Sequence, residues 1–447
     1  MDKRVIETII RDEQQELKAK SGMHLCRRLE TELIEMDCPL AQVVIGLRRS
    51  GKSTLCYTAL EEAGVVYAYV NFDDERLAKI QSNDLNDVLE VLYKVYGDFT
   101  HLFIDEIQNI DEWYLFVNRL LRQGLRVIIT GSNAKLLSGE LATHLTGRNL
   151  RIELYTLSFA EYCELHGVDT GERSTKAVAL LRAAFDEYMH QGGFPELLHV
   201  RDKRAYVANL VDDILKRDIE QRYRVQYKTA LENTAHHLLN IAPAVVSDTT
   251  LQETFSLKSV HTAKNYVSYL KQAYLLIGLH KYSAKSRQRV TGEKLYPADV
   301  SLMDNRTDAF SGENLGWRLE TIVYIELLRR LRPLGYDIYY LAERSGECDF
   351  VVCKGNKAEL AVQVSYDISE PRTLRREKAG LLLAARKTGC PRLLLLTDHD
   401  YADIDEPKNV IRNGSMLFLM AAIRKIHWQD VATQDISNFV AQKLSQL

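Results

Sequence analysis

The most informative segment of the chain reads Gln42-Val43-Val44-Ile45-Gly46-Leu47-Arg48-Arg49-Ser50-Gly51-Lys52-Ser53. Its first four residues form an apolar run typical of a buried strand, and its last eight match the phosphate-binding pattern G-x-x-x-x-G-K-[ST]. A helical pattern opens with Thr54 directly after the motif, so the motif stands between a strand and a helix. The segment therefore predicts a loop that binds the phosphates of a nucleoside triphosphate.

The polar residues of this loop have separate predicted roles. Gly46 and Gly51 allow backbone N–H groups to turn towards the phosphates, and the helix N-terminus adds its positive end. Lys52 is predicted to reach the β- and γ-phosphates, and the Ser53 hydroxyl to ligate Mg²⁺. The predicted nucleotide-binding residues of the loop are Gly46, Arg48, Arg49, Ser50, Gly51, Lys52, Ser53 and Thr54.

A second apolar run, residues 101–104, ends in the two carboxylates Asp105 and Glu106. Asp105 is predicted to hold the Mg²⁺, and Glu106 to act as the general base that polarises the attacking water. A phosphate loop alone is compatible with a kinase, a GTPase or an ATPase. The paired acids favour hydrolysis by water, and the absence of an N-K-x-D element after them disfavours guanine selectivity.

Short apolar runs alternate with helical patterns around these motifs, which predicts a parallel sheet. The predicted strands are 42–45, 65–70, 101–104, 127–129 and 150–154. Residues 4–36 carry apolar positions at helical spacing and are predicted to form an amphipathic helix. The strand 127–129 leads into Ser132 and Asn133, and one of these two side chains is predicted to sense the γ-phosphate.

Composition and charge limit the class of protein. The 447 residues predict two or three domains, and 46% hydrophobic with 27% charged residues is typical of a folded chain. The net charge is −3, so a surface that binds nucleic acid has to be local. Seven scattered cysteines without a C-x-x-C pair favour neither disulfides nor zinc. We expect a cytoplasmic protein without a signal peptide or a membrane span.

Several further stretches carry a resemblance to a known family. They are Arg48 to Ser53, Phe103 to Gln108, Thr130 to Asn133 with Leu136 to Ser138, Leu145 to Arg148, and Leu157 to Tyr162. In this order they resemble the prokaryotic AAA-type ATPases that carry a C-terminal domain of unknown function. The resemblance implies an ATPase core of the additional-strand, catalytic-glutamate type. It also implies that Arg148 is a catalytic arginine finger, acting in cis or on a neighbouring subunit.

The resemblance extends over nearly the whole chain and implies four regions. Residues 1–155 are expected to form an N-terminal helix and the P-loop, RecA-like core, and residues 156–225 a helical lid. Residues 226–298 resemble a winged helix, and a basic stretch after residue 280 is expected to contact DNA phosphates. The cations of that stretch are Lys281, Lys285, Arg287 and Arg289.

Residues 299–447 resemble the restriction-endonuclease-like PD-(D/E)XK core, with Glu320 on a helix and Glu347 and Asp349 at a strand. An active core of that type has a further acid-x-Lys pair, so that carboxylates hold Mg²⁺ and a lysine activates water. This chain has Gln363 and Ser365 at that pair. We therefore expect the fold without nuclease chemistry. The three acids are expected either to form salt bridges with Arg344 or Arg318 or to bind a metal weakly.

The sequence thus predicts an α/β protein that binds ATP and Mg²⁺ and hydrolyses ATP. Its nucleotide state is expected to be coupled to a partner, either DNA, another protein or further copies of the same chain. Two alternatives stay open at this point. One is an ATP-regulated DNA endonuclease, and the other is an ATP-binding switch with negligible turnover.

Overall fold

The computed structural model describes residues 1–20, 26–132, 145, 147–170, 174–283, 292–304, 314–398 and 410–413. The chain divides into two compact units. Unit one comprises Met1–Tyr155 with Gln272–Tyr274, and unit two comprises Thr156–Lys271 with Leu275–Leu447. Asn133, Lys285, Arg287 and Arg289, for which roles were predicted, lie outside the described residues.

Unit one contains, within its described part, a five-stranded sheet whose strand pairs are all parallel. The strands are β1 (Ala41–Gly46), β2 (Tyr67–Asn71), β3 (His101–Asp105), β4 (Arg126–Gly131) and β5 (Asn149–Leu154), in the order β2-β3-β4-β1-β5. The helices are α1 (Lys3–Lys20), α2 (Lys52–Ala63), α3 (Leu85–Tyr96) and α4 (Trp113–Arg122). The predicted P-loop, RecA-like fold is confirmed, including the additional strand β4 between β1 and β3.

Alternate residues of the strands enter two apolar layers, one on each face of the sheet. Val43 and Ile45 of β1 lie in one cluster, whereas Val44 between them lies in the other. Both faces are buried, which explains why the strands read as continuous apolar runs. The carboxyl ends of β1, β3 and β4 meet at one edge of the sheet, where ligands of such folds bind.

The N-terminal helix is shorter than predicted. The helix α1 ends at Lys20, and Leu29–Leu33 forms a separate 3₁₀ helix instead of continuing to residue 36. The sequence Ser21-Gly22 interrupts the helical pattern with two weaker helix formers. The packing of α1 agrees with its amphipathic pattern, because Ile6, Ile9 and Ile10 are fully buried in the core of unit one.

Unit two begins with the helices α5 (Phe159–Leu165), α6 (Thr175–Gln191) and α7 (Lys203–Asp213), and a π-helical segment, Ile214–Gln221. Next come α8 (Lys228–Ile241), β6 (Ala244–Val245), α9 (Asp248–Thr254), α10 (Val260–Gln272), β7 (Leu276–Leu279) and β8 (Lys294–Pro297). The three strands form an antiparallel sheet in the order β6-β8-β7. The short apolar run of β7 forms a strand, although such a run on its own fits a strand or a helix equally well.

The rest of unit two is a second α/β layer. It comprises α11 (Leu315–Leu331), β9 (Tyr336–Glu343), β10 (Gly346–Lys354), β11 (Lys357–Ser365), α12 (Pro371–Thr388), β12 (Leu393–Thr397) and β13 (Val410–Asn413). The described strands form a mixed sheet in the order β13-β12-β11-β10-β9. Antiparallel pairing joins β9, β10 and β11, and parallel pairing joins β11, β12 and β13. The predicted second α/β domain is confirmed.

Side-chain hydrogen bonds stabilise unit two at its first helix and around Gly192 and Gly193. Ser158 caps α5 reciprocally with Glu161, each side chain accepting a hydrogen bond from the other's backbone N–H, at 3.3 and 2.8 Å. Asp299 accepts a hydrogen bond from the backbone N–H of Gly193 at 2.9 Å. Gly192, with φ +74°, leaves no room for a Cβ beside the Asp299 carboxylate. These residues therefore stabilise the fold around the start of unit two.

Among the described residues, no helix combines the length and the apolar character that crossing a membrane requires.

Candidate nucleotide-binding site

The loop between β1 and α2 has the backbone that its glycines predict. Gly51 adopts a left-handed conformation with φ +93° immediately before α2. At Gly46 a Cβ would overlap the carbonyl oxygen of Leu154 on the neighbouring strand β5. Both positions therefore require glycine, and the loop wraps the N-terminus of α2 as the phosphate-binding motif demands.

Lys52 is buried at the end of the phosphate loop. Its Nζ donates hydrogen bonds to the backbone carbonyl oxygens of Leu47, at 3.1 Å, and Gly46, at 3.3 Å. It also lies 3.9 Å from Oε1 of Glu106. The ammonium is thus held inside the loop, next to the carboxylate that follows β3.

Asp105 is buried at the end of β3 among polar side chains. Thr130 donates a hydrogen bond to its Oδ1, Tyr69 donates to its Oδ2 at 3.2 Å, and the Ser53 hydroxyl also bonds it. Burial, reinforced by the charge of Glu106, raises the pKa of Asp105, while the bonds from Thr130 and Ser53 act in the opposite direction. A carboxylate beside a Ser hydroxyl is a donor set that fits Mg²⁺.

Glu106 stands in a left-handed conformation with φ +51°, which is strained for this residue type. Its backbone N–H donates to the Thr130 hydroxyl at 3.0 Å. Its Oε2 accepts hydrogen bonds from the backbone N–H and the hydroxyl of Ser132, at 3.3 and 3.2 Å, and from the amide of Gln108. The carboxylate is therefore held in a defined position at the same edge of the sheet as Lys52.

The structure thus brings together most of the predicted site residues. Lys52, Ser53, Asp105, Glu106 and Ser132 meet at the carboxyl ends of β1, β3 and β4. Thr130 and Gln108 were not singled out from the sequence, although both stand within two residues of predicted site residues.

The other predicted loop residues lie around this group. Arg48 forms an ion pair with Asp73 at 3.2 Å. Arg49 has a positive φ of 66°, Ser50 is buried, and Thr54 is exposed on the first turn of α2.

Arg148 is not brought to this group. It precedes β5 and its carbonyl accepts a hydrogen bond from Ala41, the first residue of β1, whereas the phosphate loop follows the last residue of β1. Five residues of extended strand separate the two edges, about 16 Å at ~3.3 Å per residue, which is beyond the reach of one arginine side chain. Arg148 therefore lies away from the phosphate loop of its own chain in this structure, and its role as an arginine finger stays a prediction.

Arg28 is a site residue that the sequence analysis missed. It is buried, and its guanidinium donates to the carbonyl of Ser50 in the phosphate loop at 3.0 Å and to that of Tyr155 after β5 at 2.7 Å. Arg28 therefore connects the phosphate loop to the residue that follows β5, an edge strand of the sheet. One arginine in a charged N-terminal segment gives no sequence signal for such a contact, because its partners are 22 and 127 residues away.

We expect Arg28→Met to weaken both the fold and the nucleotide site. The loss of two charge-assisted hydrogen bonds should lower the free energy of unfolding by about 3 kcal/mol and raise the KM for ATP more than it lowers kcat. Urea unfolding and steady-state kinetics measure the two effects. Arg27→Met is the matched control, because Arg27 is exposed and pairs with Glu32 and Glu62. Equal KM values in the two variants would contradict the role given to Arg28.

Comparison with known proteins places this site in a family. A model described as an AAA domain matches residues 39–163, and one described as a domain of unknown function (DUF8612) matches residues 182–311. Neither model extends beyond residue 311, so the nuclease-like character of residues 299–447 stays a prediction. In structure, the Walker-type ATPase paby2304 of Pyrococcus abyssi aligns with 63% of this chain and 95% of its own, at 13% identity and a TM-score of 0.41.

Two relatives match most of the sequence. The uncharacterized protein MJ1544 of Methanocaldococcus jannaschii is 33% identical over 370 residues, which are 81% of this chain and 82% of that protein. An uncharacterized protein of Haemophilus influenzae is 31% identical over 349 residues, 75% of this chain and 84% of that protein. The chain belongs to the same family as these archaeal and bacterial proteins, and it is a family member with an AAA-type P-loop ATPase domain.

Proposed function

We propose that this protein is a Mg²⁺-dependent ATPase that couples its nucleotide state to DNA. The observation that carries the ATPase proposal is the meeting of Lys52, Asp105 and Glu106 at one edge of the sheet of unit one. A phosphate counter-charge, a metal-binding carboxylate and a base are the three groups that hydrolysis of a phosphoanhydride requires.

Binding of ATP involves a change at Lys52. Its ammonium donates to the carbonyls of Gly46 and Leu47, and it would exchange these acceptors for the β- and γ-phosphates. Ser53 and Asp105 hold the Mg²⁺, which supplies charge neutralisation at the phosphates. Arg28 keeps the Ser50 carbonyl fixed while the loop N–H groups bind the anion.

Glu106 is the proposed general base. Its Oε2 is held by Ser132 and Gln108, and its Oε1 faces the Lys52 ammonium at 3.9 Å. The donors on Oε2 fix the orientation of the carboxylate, and Oε1 is the oxygen proposed to accept the proton of the attacking water. The position of Ser132 supports its predicted part in sensing the γ-phosphate, since a shift of Ser132 would move the carboxylate that it holds.

Phosphate release measured with ATP and GTP, each with Mg²⁺ and with EDTA, tests this proposal. We expect release only with ATP and Mg²⁺. Release that is equally fast without a divalent cation would overturn the roles of Ser53 and Asp105. No turnover despite tight ATP binding would favour the alternative of a nucleotide-binding switch.

DNA is the proposed partner because unit two contains a segment of suitable topology and charge. The helices α8, α9 and α10 with the sheet β6-β8-β7 support the predicted winged-helix-like segment. Lys258, His261 and Lys264 are exposed at the start of α10, the second helix of a helix-turn-helix pair. Lys281, which is predicted to contact DNA phosphates, follows β7. Its backbone pairs with that of Tyr340 on β9.

We expect double-stranded DNA to bind and to change the ATPase rate, with an affinity that falls steeply as salt rises and depends little on base sequence. The double variant Lys258→Glu/Lys264→Glu should weaken binding at least about tenfold and flatten the salt dependence. Lys354→Glu/Lys357→Glu is the matched control at exposed lysines of the second sheet. Identical DNA binding by both double variants would show that α10 does not contact DNA. If the wild type does not bind DNA, DNA is not the partner.

The alternative of an ATP-regulated endonuclease is disfavoured by side chains of the second sheet. The Gln363 amide donates to Glu377 at 2.7 Å, and the Ser365 hydroxyl donates to the carbonyl of Asp367 at 3.1 Å. Neither residue supplies the carboxylate or the cation that cleavage requires.

A further inference from the structure

The acids of the nuclease-like region surround a buried lysine. Lys294, the first residue of β8, is 8% exposed. Its Nζ lies 2.9 Å from Oε1 of Glu320 on α11 and 2.8 Å from Oε1 of Glu347 on β10. The ammonium therefore bridges two carboxylates from two different elements, at the position where the sequence resemblance implies a divalent cation.

Protein groups donate to an oxygen of each acid of the cluster. Oε1 of Glu320 accepts a second hydrogen bond, from the Tyr296 hydroxyl at 2.6 Å. Asp349 is buried, and its Oδ2 accepts a hydrogen bond from the backbone N–H of Val364 at 2.8 Å. Its backbone N–H donates to the side-chain oxygen of Gln363 at 3.4 Å.

The geometry fits a charged ammonium, because the Lys294 Nζ lies 2.9 and 2.8 Å from oxygens of two carboxylates. A divalent cation bound to the same carboxylates would face this ammonium at close range, where like charges repel strongly. The residues present therefore do not fit a metal.

We propose that the Lys294 ammonium is a built-in replacement for the divalent cation of the nuclease-like fold. The side chain neutralises Glu320 and Glu347 and joins β8, α11 and β10, the elements that carry the three residues. The domain keeps its acids for stability and has no metal-dependent cleavage. This inference is independent of the ATPase proposal, because all its residues belong to unit two.

Removal of the ammonium should reveal the metal site. In Lys294→Met the acids lose their cation, and we expect the thermal transition of unit two to fall by roughly 10 °C. Millimolar Mn²⁺ or Mg²⁺ should restore most of this loss, because an ion that binds only the folded state stabilises it. The thermal transition of unit two in the wild type should not change with these ions or with EDTA. Lys357→Met, at an exposed lysine 3.7 Å from Glu359, is the matched control.

Electron paramagnetic resonance gives a second measurement, the binding of Mn²⁺ in the absence of nucleotide. The parent protein for this experiment is Asp105→Asn, which lacks the predicted metal ligand of unit one. Lys294→Met should bind Mn²⁺ at least about tenfold more tightly than the parent. Adding Glu320→Gln should abolish that gain. The proposal is overturned if the parent itself binds Mn²⁺ and loses it on Asp349→Asn. It is also overturned if Lys294→Met is stable and indifferent to metal. If that variant does not fold, the parent and its Asp349→Asn form still decide the question.

Discussion

Lys52→Ala should lower the affinity for ATP by at least about 100-fold. Lys52 is predicted to be a major counter-charge for the phosphates, and the loss of charge-assisted bonds to phosphate is worth about 2–3 kcal/mol. Equilibrium binding of a fluorescent ATP analogue measures the effect. The fold should persist, because the polar contacts of the Lys52 ammonium are with the loop carbonyls of Gly46 and Leu47 and with the Glu106 carboxylate.

Lys94→Ala is the matched control, since Lys94 is an exposed lysine of unit one that pairs with Glu7. Its ATP affinity should equal that of the wild type. Circular dichroism separates a loss of binding from a loss of fold. An ATP affinity of Lys52→Ala equal to that of the wild type would show that ATP does not bind at this loop. The proposed function would then be wrong.

Glu106→Gln should have a different effect from Lys52→Ala. The amide preserves the shape, and its oxygen can accept the bonds that Oε2 accepts, but it takes no proton from water, so kcat should fall about 10²- to 10⁴-fold while ATP still binds. Single-turnover hydrolysis together with ATP binding distinguishes the two outcomes. Glu62→Gln on the exposed face of α2 is the control for the same change of charge. Hydrolysis within a factor of two of the wild type would mean that another group is the base.

The parts of the site that were predictable are those that follow strands. The phosphate loop is contiguous in sequence, and Asp105 and Glu106 come directly after an apolar run, so a parallel sheet brings them to one edge without further information. The order of these motifs along the chain is therefore sufficient to predict most of the fold of unit one. The second α/β sheet was predictable for the same reason, from apolar runs between polar turns.

The contacts that were missed join residues far apart in the sequence. Arg28 bonds a carbonyl 127 residues away, and Lys294 pairs with an acid 53 residues away. Neither residue lies in a motif that identifies its partner, and Arg344 and Arg318 were the cations expected near the acids instead. Arg318 instead donates to the carbonyls of Met189 and Val300. Periodicity and motifs contain no information about such pairings.

The N-terminal segment sets a boundary for any attempt to isolate the ATPase core. The AAA match begins at residue 39, after the whole of α1 and after Arg28. A polypeptide cut at that boundary would leave the pocket of Ile6, Ile9 and Ile10 open to water and the Ser50 carbonyl without its guanidinium. Deletion experiments guided by the homology boundary would therefore report a misfolded core as an inactive enzyme, and fragments of this protein should start at residue 1.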